Sequence, residues 1–96
     1  MLKILRRASI IAAIAPAVLI PLAAQAADPE FCRGYAQAAI NQVRGALNNP
    51  NCARGLQGAR WSADFKVHFD WCLTAAPGAA ETERIARTEY LRGCRG

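Results

Sequence analysis

Histidine occurs once in this chain, at His68, methionine only at the first position, and no two of the four cysteines stand closer than 20 residues apart. These scarcities exclude a good deal. Structural zinc sites gather their ligands from closely spaced cysteine pairs, and thiol–disulfide exchangers use C-x-x-C; neither spacing is present, so no metal and no cofactor is expected. No serine or threonine lies in a motif that marks an activated nucleophile, and cysteines that are oxidised cannot serve as one. No segment alternates apolar and polar residues over the length of a strand, which makes the fold class all-α. The longest apolar run falls short of the roughly 20 residues that a membrane span needs.

Charge of one sign is segregated in one place only, the amino terminus. Lys3, Arg6 and Arg7 come before any acid, the apolar stretch from Ala8 to Leu22 follows, and Ala24 and Ala26 supply the small residues of an A-x-A cleavage site. Those regions in that order predict a cleavable signal peptide over residues 1–26. The apolar stretch carries Pro16 and Pro21 and is too short for an anchor. The first cysteine is Cys32, well beyond the cleavage site, so lipid attachment and any membrane anchor after cleavage are not expected. Arg6-Arg7 leaves twin-arginine export as the alternative route, but cystines form most readily when an unfolded chain meets an oxidising compartment, which favours the general secretory route. The expected location is periplasmic or secreted.

Removal of the leader changes the electrostatics of what remains. Three of the twelve basic residues lie in it, and the nine left behind face seven acids, so residues 27–96 carry about +2. The arginines at 33, 44, 54, 60, 84, 87, 92 and 95 are scattered, and a nucleic-acid footprint calls for a clustered basic face. No nucleic-acid partner is expected.

A domain of this size buries only about 60% of its unfolded surface and has a thin margin over chain entropy. Cross-links are the usual remedy. Cys32, Cys52, Cys72 and Cys94 are even in number, and each bridge closing a loop of some 40 residues is worth about 3 to 4 kcal/mol in the chain-entropy model.

Three helices are predicted. Asp28-Pro29-Glu30 combines an N-cap, a proline at the first helical position and an acid in the first turn; the apolar register Cys32, Tyr35, Ala36, Ala39, Ile40, Val43, Ala46, Leu47 then runs to about Asn48, where Asn49-Pro50 stops it. Residues 49–60, with Pro50, Gly55 and Gly58, read as a loop pinned by Cys52. Ser62 is the expected N-cap of a second helix, with Phe65, Phe69, Cys72 and Leu73 on one face and Val67 and Trp71 on a second, as in a helix held between neighbours. Ala75-Ala76-Pro77-Gly78 ends it. The third helix, Ala79 to Gly93, has a core stripe of Ala79, Ala86, Tyr90 and Cys94 widened by Leu91, and pairs Glu81/Arg84, Glu83/Arg87 and Glu89/Arg92 at helical spacing. Arg87 falls among Leu91, Tyr90 and Cys94, placing it to snorkel or to meet an acid of the second helix. An up-down-up course brings Cys32 near Cys72 and Cys52 near Cys94, the predicted bridges; Cys32–Cys94 with Cys52–Cys72 is the second choice among the three connectivities that four cysteines permit.

The densest chemistry lies between Arg60 and Cys72. It holds both tryptophans, Trp61 and Trp71, and His68 four residues after Asp64, where a carboxylate–imidazole pair can form on one helix face. That is half of a general-base arrangement without its nucleophile, so His68 is read first as a packing residue. The tryptophans are read first as core, since each aromatic buries some 150 to 250 Å². Exposed beside Arg60, one of them would make a stacking platform. Arg60, Trp61, Asp64, His68 and Trp71 therefore form the candidate binding surface.

The pattern Cys32-x-x-Tyr35-Ala36, Cys52, Gly58-x-Arg60-Trp61-Ser62, His68-x-x-Trp71-Cys72-Leu73 and Arg87-x-x-x-Leu91-x-x-Cys94 resembles a four-cysteine helical unit of secreted alphaproteobacterial proteins. The resemblance implies a shared Trp61, His68 and Trp71 signature and brings no activity with it. The functional expectation is a small exported, non-enzymatic helical module that binds an envelope protein or ligand. The alternative is an enzyme, or an inhibitor of one, acting through Asp64, His68, Trp61 and Trp71.

Overall fold

Asp28 caps the first helix as its sequence requires: the side chain accepts from the Glu30 amide at 3.0 Å, and Pro29 opens α1, Pro29–Leu47. The computed structural model describes residues 28–95, and the segment expected to be a signal peptide, with its expected cleavage site, lies outside them. Four helices make up the described chain. After α1 come the short α2, Pro50–Ala53, then α3, Phe65–Thr74, and α4, Ala79–Arg95, with a 3-10 turn at Ala59–Trp61 before α3. There is no strand among the described residues.

The Asn49-Pro50 stop has a second role. Asn49 accepts from the Asn51 amide at 2.9 Å and Pro50 takes the first helical position, so the pair that ends α1 also starts α2 inside the expected loop. The next helix begins later than its sequence suggests. Ser62 receives the Asp64 amide at 3.0 Å, and Asp64 itself caps α3 through the Lys66 amide at 2.9 Å. Gly58 precedes the 3-10 turn with φ 82° and Gly78 precedes α4 with φ 83°, a region that glycine enters without the steric cost of a side chain.

Helices α3 and α4 both pack on α1, and α2 lies against α1 and α4. The cystines are those expected, Cys32–Cys72 and Cys52–Cys94, spanning 40 and 42 residues. Each is the centre of its own apolar cluster. Cys32 and Cys72 lie with Tyr35, Ala80, Phe69 and Leu73; Cys52 lies with Ala46, Leu91, Leu56, Trp61, Tyr90 and Cys94. The cross-links thus reinforce two small cores in place of one large one, as a domain with little surface to bury requires. Two cystines also point to an oxidising, extracellular-type environment. No helix among the described residues is long and apolar enough to cross a membrane.

The α1 stripe is buried from Cys32 to Ala46, but Leu47, expected to close it, is 54% exposed because the chain turns away at Asn48. On α3 only His68 and Cys72 are buried, and Phe65, Val67 and Trp71 each keep more than a third of their surface in solvent. One side of that helix rests on α1, and among the described residues it also meets the 3-10 turn and, through the Cys72 cluster, Ala80 of α4. The buried stripe of α4 is Ala80, Arg87 and Leu91; Leu91 is buried as expected, whereas Ala79, Ala86, Tyr90 and Cys94 are half-buried, one position away from it. Arg87 is the cause. Its guanidinium, expected to snorkel or to meet an acid of the second helix, lies in the interior with no exposed surface.

Candidate functional site

Arg87 has no exposed surface. Its Nε donates to Gln42 Oε1 of α1 at 2.6 Å, its Nη1 to the Arg60 carbonyl at 3.4 Å, and its guanidinium carbon lies 5.2 Å from the centroid of the Tyr35 ring. Its Nη2 is buried with no hydrogen-bond partner. A guanidinium cannot shed its charge in a protein, so the interior of this small domain holds a permanent cation. The expected snorkelling, or pairing with an acid of the second helix, is replaced by burial against an amide, a carbonyl and an aromatic face. Gln42 is held for the task by Nε2, which donates to Thr88 Oγ1 at 2.9 Å and to the Arg84 carbonyl at 3.2 Å.

A cleft of about 210 Å³ opens beside this cation, lined by Tyr35, Ala59, Arg60, Val67, His68, Trp71, Glu83 and Arg87. Three helices and the 3-10 turn contribute to it. Tyr35 is its hub: the ring meets Trp71 at 5.5 Å and His68 edge-on at 6.4 Å. Burial pushes the Tyr35 hydroxyl above its ordinary value, against the opposing pull of the neighbouring Arg87, so it stays a neutral donor and acceptor near pH 7.

Arg60 and Glu83 form the outer rim. Arg60 Nε and Nη2 meet the two Glu83 oxygens at 2.7 and 3.0 Å, a two-point bridge between the 3-10 turn and α4. The Arg60 guanidinium, through that hydrogen bond, holds the Glu83 carboxyl below its ordinary value. Glu83 was expected to serve Arg87, one turn along its own helix. It is taken by Arg60 instead, whereas the expected Glu81/Arg84 and Glu89/Arg92 pairs are both present. Within the cleft two guanidiniums therefore face a single carboxylate.

The five residues of the sequence-derived surface separate. Arg60, His68 and Trp71 line the cleft, Trp71 as a wall that is 38% exposed and not the core filler expected of it. Trp61 faces the other way, half-buried on Tyr90 with ring centroids 5.0 Å apart, and lines a more open depression with Gly55, Gly58 and Tyr90. Asp64 is spent on its capping bond. The Asp64–His68 pair is not formed, because Asp64 lies at the cap and not within the helix, and His68 turns inward. Its Nε2–H donates to the Ser62 carbonyl at 2.7 Å, with only 3% of the residue exposed. That is a packing arrangement, one that secures the turn before α3.

Among the described residues no three His, Cys, Asp or Glu side chains gather as a metal would need. No family model, curated protein or solved structure matches the chain. The site must therefore be judged on its own chemistry: a sealed cation, an exposed aromatic wall and a rim ion pair. Tyr35, Gln42, Glu83 and Arg87 are the members that sequence reasoning left out. Only Arg87 gave a signal, a charged residue in register with Leu91 on an otherwise apolar helical stripe.

Proposed function

We propose that residues 1–26 direct export and are removed, and that residues 27–96 form a non-enzymatic, up-down-up helical module. It works in the periplasm or outside the cell and binds a cell-envelope component through the cleft bounded by Arg60, His68 and Trp71. The observation that carries this reading is Arg87. A buried donor left without a partner costs stability, and stability alone would favour an aliphatic residue at that position. A binding role accounts for both the retained charge and the aromatic wall beside it. The three basic residues ahead of an apolar stretch and an A-x-A site support export, and the two cystines are consistent with the destination.

The test has two arms. The full chain produced in a bacterium should be recovered from the periplasm or the medium, beginning at Ala27 and with all four cysteines oxidised; recovery from the cytoplasm with the leader attached contradicts export. The oxidised protein, immobilised and exposed to solubilised envelope, should retain a component that Trp71→Ala no longer retains at unchanged melting temperature. Equal retention by that variant contradicts the cleft as the site.

A further inference from the structure

Arg87 makes one side-chain hydrogen bond, to neutral Gln42, and one to a backbone carbonyl, and its Nη2 makes none. The carboxylate nearest in helical register, Glu83, has both oxygens committed to Arg60. The cluster is thus one negative charge short. Guanidinium presents a planar fork that matches the two oxygens of a carboxylate, and a desolvated guanidinium gains more from such a partner than an exposed one. The remaining walls are Ala59, Val67 and Trp71, together with His68, whose Nε2 is committed to the Ser62 carbonyl, and Tyr35, whose hydroxyl lies toward Arg87. An apolar cavity of about 150 Å³ takes a benzene ring, so the 210 Å³ here accommodates a ring with a carboxylate attached.

Resting on the reading of this cleft as the binding site, we infer that its ligand is a small aromatic monocarboxylate, seated with its carboxylate on the Arg87 guanidinium and its ring against Trp71 and Tyr35. A dianion such as phosphate is disfavoured, because the cluster has one uncompensated positive charge and its walls offer little else to a second negative charge. Arg87 is sealed, so entry requires the rim bridge of Arg60 and Glu83 to part. Both side chains are partly in solvent, 46% and 24% exposed, so water can take over their bonds as the bridge opens. Glu83 is then both gate and competitor, a carboxylate that the ligand must outbid for cationic surroundings.

The experiment is a titration of the oxidised protein with phenylacetate, followed by tryptophan fluorescence. Saturable binding is expected, with neutral phenylacetamide weaker by about tenfold or more, the size of one charge-assisted contact, and with inorganic phosphate failing to compete. Arg87 substitutions risk unfolding the domain, so the charge argument is tested at the rim: Glu83→Gln should tighten phenylacetate binding several-fold, and Trp71→Ala should weaken it about tenfold, as loss of an aromatic contact does. Equal binding of acid and amide, displacement by phosphate, or a Glu83→Gln variant that binds no better than the parent overturns the inference. If an envelope component is retained in a Trp71-dependent manner but phenylacetate does not bind, the ligand class is wrong and the cleft assignment stands. If neither binds, both fall.

Discussion

Arg87 of α4 donates to Gln42 of α1 across 2.6 Å, 45 residues apart in sequence and inside the fold. That bond joins the interior cation to the helix on which α3 and α4 both pack. Arg87→Ala leaves Gln42 Oε1 without this donor and opens a cavity, and should cost about 2 to 5 kcal/mol, the range for truncating a large buried side chain. Arg87→Met refills most of the volume without a charge and should be about as stable as the parent or more so. Urea unfolding of the two variants measures the difference.

Each cystine should contribute independently because each serves its own cluster. Cys32→Ala/Cys72→Ala and Cys52→Ala/Cys94→Ala should each lose about 4 kcal/mol, the chain-entropy value for loops of 40 and 42 residues. A domain of this size has total stability of the same order. Full reduction should therefore abolish the cooperative thermal transition, and circular dichroism with and without reductant detects it.

Gly55 and Tyr90 are coupled through a contact too close for a side chain. A Cβ at Gly55 would lie 2.6 Å from the Tyr90 hydroxyl, which is itself held at 2.6 Å by donation to the Cys52 carbonyl. Gly55→Ala should destabilise by about 1 to 3 kcal/mol and Tyr90→Phe by about 1 kcal/mol. Together they should cost less than the sum, since removing the hydroxyl makes room for the methyl group. A double-mutant cycle by thermal unfolding reads the sign of the interaction.

Much of this fold was legible before the structure, because its determinants are local. Asp28-Pro29 and Asn49-Pro50 act through capping bonds within a few residues, and the cysteine pairing followed from helix lengths. Leu47 and α4 differ from expectation for other reasons: the chain turns away at Asn48, directly after Leu47, and the burial of the α4 stripe is decided by partners distant in the chain. Nothing in the neighbourhood of Glu83 says that Arg60, 23 residues earlier, will take it from Arg87. His68 is buried, and its partner is the Ser62 carbonyl and not Asp64. Backbone acceptors leave no mark in side-chain patterns. The cleft stayed hidden because Tyr35 and Gln42 each look like an ordinary member of a helical face, and the charge of Arg87 on an apolar stripe does not say which partners surround it.

Acid should loosen the molecule through its rim. Glu83 is held below its ordinary 4.5 chiefly by the Arg60 hydrogen bond, and Glu81 likewise by Arg84. A carboxyl depressed in the folded state contributes stability that is fully present above its unfolded value and is lost as pH falls through the folded one. The melting temperature should therefore be steady above about pH 5 and decline below 4.5, with the decline smaller in Glu83→Gln. Thermal unfolding from pH 3 to 7 in both proteins checks this.

Nitrogen-15 NMR of the oxidised protein, titrated with the small-molecule fraction of a bacterial periplasm, puts the cleft itself to the test. Shifts concentrated on the Arg87 and Arg60 guanidinium groups, the Trp71 indole and the Glu83 amide, with Trp61 undisturbed, are the predicted result. Shifts centred on Trp61 and Tyr90, or on the exposed face of α1, with Arg87 silent, would contradict the assignment of binding to this site.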